Sequence, residues 1–173
     1  MKRYPVLLLL MMFFLAYPLP LAAKMELGIR GGKGILAEPE DYAPGELYFL
    51  KALPWQNSLC PATKLYARLD VGIGYIHTEE RSGGWLAGGM DVVFGPQDGA
   101  WEFEGGFRPT WLFEDDLGGE DFGGPVQFTS HVGATYKLSD VVLSYRYQHI
   151  SNAGIYDSNP GINLQLVGVG VSF

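Results

Sequence analysis

The chain has little of what commonly cross-links a small domain or builds a helical one. Its 173 residues contain a single cysteine, Cys60, and charged residues make up only 18% of the total. One thiol excludes an intramolecular disulfide and a cysteine-based metal cluster, so packing and backbone hydrogen bonds must stabilise the fold. No hydrophobic pattern of helical period extends for any length. Phosphate-binding glycine motifs and His/Cys sets with metal-ligand spacing are also missing, and we expect neither a metal nor a cofactor.

The chain also lacks an apolar run of the length that an ordinary membrane-spanning helix needs. Residues 1–23 have a basic start, an apolar core and small residues before a predicted cleavage after Ala23, which is the layout of a secretory signal peptide. The alternative is an anchoring helix. Pro18 and Pro20 limit the apolar run to roughly a dozen residues, short of the ~20 that span a bilayer. We therefore expect a cleaved signal peptide followed by one domain, residues 24–173.

Basic residues are outnumbered by acidic ones. The sequence has 12 Lys and Arg against 19 Asp and Glu, a net charge of −7, and loss of Lys2 and Arg3 with the signal peptide makes the mature charge −9. An acidic exported protein is a poor match for the phosphate backbone of DNA or RNA. We expect no nucleic-acid partner.

Period-two alternation replaces the missing helical pattern. Segments bounded by Gly, Pro, Asn and Asp alternate apolar and polar residues, as β-strands with two unlike faces do. In the fifth segment Trp101, Phe103 and Phe107 lie opposite Glu102 and Glu104. Eight such segments are predicted: 24–36, 46–56, 64–79, 84–94, 100–114, 125–138, 141–152 and 162–173.

Two kinds of barrel fit this alternation. A soluble lipocalin-like barrel places its apolar face inside, whereas a membrane barrel turns that face toward lipid and fills its lumen with polar side chains. The polar faces carry Glu, Arg, Asp and many Gly, which suits ion pairs in a narrow lumen. The apolar faces are aromatic near their ends, as in the aromatic girdles of outer-membrane barrels.

The connections favour the membrane barrel. With the N-terminus periplasmic, the periplasmic turns are 57–63, 95–99 and 139–140, and the extracellular loops include 37–45, 114–124 and 153–161. The last segment finishes on Phe173, which resembles the assembly signal of bacterial outer-membrane proteins. The sequence therefore predicts an all-β fold, an eight-stranded antiparallel transmembrane β-barrel in the bacterial outer membrane.

A polar cluster interrupts the apolar face of the seventh segment. His149 and Ser151 share a face with Tyr147, whereas Arg146 lies on the lumen face. The hairpin to the last strand brings Asn163 to the same outward side. Two interpretations are open. Either the apolar band has ended and these residues meet headgroups or water, or the imidazole activates a serine hydroxyl.

The residues that follow carry a family resemblance. The stretch HISNAG at 149–154, followed by Asn159 and Gly161, resembles the signature of the lipid A 3-O-deacylases, eight-stranded outer-membrane barrels of Gram-negative bacteria. The similarity is dense over 145–163 and looser elsewhere in the barrel. It implies hydrolysis of the ester-linked acyl chain at position 3 of lipid A, with lipopolysaccharide in the membrane as the partner.

The resemblance also implies roles for individual residues. Ser151 is expected to be the nucleophile and His149 the general base, while Asn159, Gly154 and Asn152 contribute to the oxyanion hole or contact substrate.

One position departs from the family pattern. Where the family has an acid, this chain has Asn163, which can orient the imidazole through a hydrogen bond without supplying charge. Asp157 is an alternative acid. The competing hypotheses are a non-enzymatic barrel with a degenerate site and an esterase acting on other lipids.

Overall fold

Antiparallel strands close into a single barrel. The computed structural model describes residues 24–35, 42–58 and 60–173. Its strands are β1 (Met25–Ile35), β2 (Ala43–Asn57), β3 (Thr63–His77), β4 (Gly83–Pro96), β5 (Trp101–Leu112), β6 (Asp116–Leu117), β7 (Glu120–Asp121), β8 (Val126–Leu138), β9 (Val141–Ser151) and β10 (Ile162–Ser172). Around the barrel the order is β1-β10-β9-β8-β5-β4-β3-β2, and β6 with β7 forms a separate ribbon. Among these residues, no helix has the length and apolarity to cross a membrane.

The eight predicted segments correspond to the eight barrel strands, so the predicted all-β barrel is confirmed. The predicted signal peptide, residues 1–23, lies outside the described residues. The predicted loop 37–45 was too long, because β2 begins at Ala43 and Gly45 pairs with Gly31 of β1. The β6–β7 ribbon inside the loop that joins β5 to β8 was not predicted.

The two ends of the barrel differ. We call one end the turn end, since it carries the connections 58–62, 97–100 and 139–140. The opposite, loop end carries 78–82 and the longer connections 113–125 and 152–161.

The outward face of the barrel is apolar, as alternation predicts. Leu27, Ile29, Phe107, Val132 and Val167 each expose between 48% and 64% of their surface. These side chains come from four different strands, so the apolar surface runs round the barrel. Such a band is the lipid-facing surface of an outer-membrane barrel.

The lumen is filled by paired charges. Arg108 donates to Glu46 at 2.9 Å and to Asp70 at 3.2 Å. Arg146 donates to Asp70 at 2.7 Å and to Glu104 at 2.8 Å. Because each pair joins residues from different strands, the network ties the barrel wall across its interior. It also leaves these carboxylates matched by guanidinium groups, which a buried charge requires.

An apolar cluster closes the lumen at the loop end. Ile150 of β9 and Ile162 of β10 are partners in the ladder and point inward. They pack with Leu164 and with Phe122 from the loop after β5. The last residues of β9 and the first of β10 are therefore supported from inside the barrel, which holds their outward side chains on a rigid wall.

Candidate functional site

The outward polar residues lie where β9 and β10 meet the loop end. His149 and Asn163 are partners across the β9–β10 ladder. Since side chains alternate along a strand and the next pair points inward, both face outward. Ser151 is the last residue of β9, and Gly161 directly precedes β10 on the opposite side of the hairpin. The structure thus brings these residues to one patch on the outward wall.

Hydrogen bonds fix the imidazole of His149. Its Nδ1 lies 2.9 Å from Oδ1 of Asn163. An amide oxygen only accepts, so Nδ1 carries the proton and Nε2 keeps a free lone pair in the neutral ring. The Tyr147 hydroxyl donates to the same Oδ1 at 2.8 Å. Two donors on one oxygen set the orientation of the amide, and through it the orientation and tautomer of His149.

Gly161 makes room for the other edge of that ring. A Cβ on Gly161 would lie 3.0 Å from Cε1 and 3.6 Å from Nε2 of His149. The ring therefore reaches past its own ladder position toward Gly161, where the strands of the hairpin separate. Ser151 is half-buried. Within the described part of the chain, no hydrogen bond joins Ser151 to His149, and such bonds often tighten only once substrate is bound.

Asn152 is buried and organises the loop after Ser151. Its Nδ2 donates to the backbone carbonyls of Phe122 at 3.0 Å and Ser158 at 2.6 Å. Its Oδ1 accepts from the N–H of Gly154 at 2.8 Å. Its own N–H donates to Oδ1 of Asn159 at 3.0 Å. In this structure the side chain of Asn152 and the N–H of Gly154 form hydrogen bonds within the loop, and Asn159 is exposed. Their predicted contacts with substrate stay a prediction.

Sequence reasoning did not single out Ser130. This exposed residue of β8 is the ladder partner of His149 on the side away from Asn163. The signal was present, because Ser130 interrupts the apolar face between Phe128 and Val132. Two serines therefore flank His149, one across the ladder and one along its own strand.

The contact between Tyr147 and Asn163 was also missed. Alternation places Tyr147 on the outward face, but whether its hydroxyl reaches a particular acceptor depends on side-chain conformation. Only the structure shows that it shares Oδ1 with His149.

A second group of polar side chains lies inside the barrel. Ligand atoms of Asp70, Asp91 and His131 lie within 4.8 Å of one another, which is geometrically suited to a metal ion. Guanidinium groups already hold these carboxylates, with Arg68 on Asp91 at 2.8 Å and Arg146 on Asp70 at 2.7 Å. These guanidinium groups already place positive charge around the position that a metal ion would take. We assign this group to the structural network of the lumen.

Comparisons with known proteins agree with this barrel. The family model for lipid A 3-O-deacylase (PagL) matches residues 45–172. The crystal structure of the outer membrane enzyme PagL is similar with a TM-score of 0.76 and 16% identity, covering 84% of this chain and 98% of that one.

Neisserial surface protein A (NspA) is similar with a TM-score of 0.50 and 12% identity, covering 87% of this chain and 97% of that one. At these identities, the structural matches show a shared fold. A comparison with curated proteins finds no match. The family match extends from within β2 to the end of β10. The chain therefore belongs to the lipid A 3-O-deacylase (PagL) family and is an eight-stranded outer-membrane β-barrel.

Proposed function

We propose that this protein hydrolyses the ester-linked acyl chain at position 3 of lipid A, with Ser151 as nucleophile. The observation that carries the proposal is the hydrogen-bonded series Tyr147–Asn163–His149 beside Ser151, on the outward wall of the barrel. Membership of the family supplies the substrate class. A lipid-facing site suits that substrate, because the ester of a membrane lipid reaches the protein from within the bilayer rather than from water.

The first half of the reaction forms an acyl-enzyme. Nε2 of His149 takes the proton from Oγ of Ser151 as the hydroxyl oxygen attacks the ester carbonyl carbon. When the tetrahedral intermediate collapses, the bond between that carbon and the sugar oxygen breaks. The imidazolium then gives its proton to the leaving sugar oxygen.

The second half regenerates the enzyme. Nε2 of His149 takes a proton from a water molecule, whose oxygen attacks the carbonyl carbon of the acyl-enzyme. The bond to Oγ of Ser151 breaks, the proton returns to that oxygen, and the fatty acid is released. No oxidant, reductant or metal is needed to balance either half.

Asn163 takes the place of an acid in this scheme. It provides no charge for the imidazolium, but it holds the Nδ1–H and so keeps Nε2 as the base, as an asparagine does in Cys-His-Asn hydrolases. An amide has two unlike ends, and presenting Nδ2 to His149 would set donor against donor. In this structure the Tyr147 hydroxyl donates to Oδ1, the same oxygen that accepts from His149, and we assign Tyr147 to positioning the amide.

The developing oxyanion needs donors. We assign the Nδ2 group of Asn159 to this part, since one well-placed donor is worth about 10²–10³ in rate. Asn152 and Gly154 act on the reaction through the loop. Their mutual hydrogen bond and the bond from Asn152 to Oδ1 of Asn159 hold the donor near the end of β9.

We also propose that the loop end faces the cell exterior, where the sugars of lipid A lie. Cys60 is an exposed reporter in the 58–62 turn at the other end. Hydrogen bonds from the Thr63 hydroxyl and the Ala62 backbone lower the pKa of its thiol, which favours the reactive thiolate. A maleimide too large to cross the outer membrane should label Cys60 only in permeabilised cells. Labelling of intact cells would place the active patch at the wrong leaflet.

The reaction is tested by incubating the purified barrel with lipid A and measuring the products by mass spectrometry. We expect loss of one ester-linked acyl chain and appearance of the matching free fatty acid, with the amide-linked chains retained. A phospholipid with ester-linked chains is the comparison substrate. Equal hydrolysis of both would indicate a general lipid esterase, and no release from either by folded protein would indicate a non-enzymatic barrel.

A further inference from the structure

The loop end of the barrel is strongly acidic. The described connections 78–82, 113–125 and 152–161 carry eight acidic residues, namely Glu79, Glu80, Glu114, Asp115, Asp116, Glu120, Asp121 and Asp157. The basic residue in these connections, Arg81, is paired with Asp116. The inward arginines are engaged as well, as Arg30 is with Glu46 and Arg108 with Asp70. An anionic lipid that approaches this end therefore meets mostly charge of its own sign.

Lys33 differs from these paired basic residues among the described residues of the loop end. It lies two residues before the end of β1, is exposed, and forms no ion pair in the described part of the chain. Alternation places it on the outward face with Leu27 and Ile29, which expose 48% and 60% of their surface. Lys33 is thus an unpaired cation on the lipid-facing wall near the loop end, within the described part of the chain.

Lys33 also lies on the same side of the barrel as the candidate active site. It is the ladder partner of Gln165 on β10, and Gln165 is in turn the partner of Tyr147 on β9. Strand spacing and rise put its Cα about 12 Å from that of His149, two strands across and two residues along. One phosphorylated disaccharide headgroup can span that separation.

We propose that Lys33 binds a phosphate group of the lipid A molecule being deacylated and so positions its ester at Ser151. This inference rests on the proposed function and adds a subsite to it. An ammonium group is a strong donor to phosphate oxygens, and the surrounding acidic loops leave the substrate few other cations. The subsite would favour phosphorylated lipid A over the same lipid without phosphate.

A phosphate subsite differs from a general contact between a lysine and the membrane headgroups. A lysine near the edge of a lipid-facing band also extends its ammonium group toward bulk headgroups, without selecting the substrate. Lys51 offers a matched control for that behaviour, since it lies outward on β2 with Leu47 but toward the turn end.

The test measures binding rather than turnover. Ser151→Ala protein in neutral detergent is titrated with bis-phosphorylated lipid A and with the same lipid after phosphate removal. Lys33→Gln should weaken binding of the phosphorylated lipid about tenfold, the scale of one charge-assisted hydrogen bond, and leave the dephosphorylated lipid unchanged. Lys33→Arg should restore affinity, and Lys51→Gln should affect neither lipid.

The outcomes distinguish the alternatives. Equal weakening for both lipids, or none for either, overturns the phosphate subsite. The same titration is repeated in vesicles rich in anionic phospholipid. If Lys33→Gln weakens binding only there, Lys33 contacts bulk headgroups and the phosphate subsite is overturned as well. If phosphate-dependent binding through Lys33 is present but the unsubstituted protein releases no fatty acid, the subsite stands and the deacylase proposal fails.

Discussion

The lumen and the outward patch each hold a histidine, and the two histidines have opposite kinds of partner. In the lumen, Nε2 of His131 lies 2.9 Å from a carboxylate oxygen of Asp91, within a network of ion pairs. On the outer wall, Nδ1 of His149 lies 2.9 Å from the neutral amide of Asn163. The charged partner is inside and the uncharged partner is outside.

The difference follows from what surrounds each site. Inside the barrel, Arg68 pairs with the carboxylate of Asp91 and Arg146 pairs with Asp70, so the charges near His131 have partners of opposite sign. Among the described residues of the lipid-facing wall no ion pair is formed, and an unpaired carboxylate at a hydrocarbon boundary is costly. An amide held by a tyrosine hydroxyl keeps the imidazole oriented without that charge. The expected consequence is a base that is well positioned but less strongly stabilised when it becomes an imidazolium.

The largest expected effect on kcat comes from replacing one of the two serines that flank His149, and the two replacements should differ strongly. Ser151→Ala should lower kcat by about 10³-fold or more, because removing a nucleophile leaves only binding and oxyanion stabilisation. Ser130→Ala deletes the same hydroxyl on the same wall and should change kcat less than about threefold. Fatty-acid release by folded protein measures both. A large loss in Ser130→Ala with activity kept in Ser151→Ala would move the nucleophile to β8.

The next largest effect on activity is expected at Asn163, the partner of His149. Asn163→Ala removes the acceptor that fixes the tautomer and should lower kcat/KM about 10²-fold. Asn163→Glu should preserve or raise the rate, because a carboxylate accepts the Nδ1–H bond and also stabilises the imidazolium that forms during the reaction. Full activity in Asn163→Ala, or a large loss in Asn163→Glu, would show that the amide does not orient His149.

A smaller effect is expected for Tyr147. Tyr147→Phe should lower kcat about tenfold in the natural chain, since one neutral hydrogen bond that orients the amide is lost. In an Asn163→Glu background the same change should have little effect, because a carboxylate has two equivalent oxygens and needs no partner to orient it. Tyr145→Phe, two residues away on the same face, is the control. Equal losses of kcat in both backgrounds would show that Tyr147 contributes packing and does not orient the amide.

The smallest effect on turnover is expected from the lumen. Arg108→Met leaves the buried carboxylates of Glu46 and Asp70 short of a partner and should lower the free energy of unfolding by about 3–5 kcal/mol. Activity per folded molecule should be nearly unchanged, because the network contacts no side chain of the outward patch and reaches that part of β9 only through the inward hydrogen bond from Arg108 to Gln148 at 3.0 Å. Urea unfolding in lipid vesicles, with activity corrected for the folded fraction, checks both. Unchanged stability would contradict the structural role of the network.

Period-two patterning explains why the sequence predicted so much of this molecule. Alternation alone predicts that Trp101 and Glu102 lie on opposite faces of their strand, and that His149 and Arg146 do so on theirs. A hairpin then places Asn163 near His149. The pairing of Ser130 with His149 depends on the β8–β9 register. The Tyr147 contact depends on rotamers, which neither composition nor spacing encodes.

The loops were the least predictable part. Asn152 matched a motif, yet its burial and its four hydrogen bonds arise from the path of two loops that pack together. The β6–β7 ribbon and the start of β2 at Ala43 likewise depend on local backbone conformation rather than on an alternating pattern.

The most direct test of the central claim, that the outward patch is a catalytic site with Ser151 as its nucleophile, is covalent labelling of the purified barrel with a long-chain alkyl fluorophosphonate. Peptide mass spectrometry then locates the adduct. We predict one phosphonylated residue, Ser151, with labelling lost in His149→Ala and retained in Ser130→Ala. An adduct on Ser130, or no adduct on folded protein that binds lipid A, would contradict the assignment.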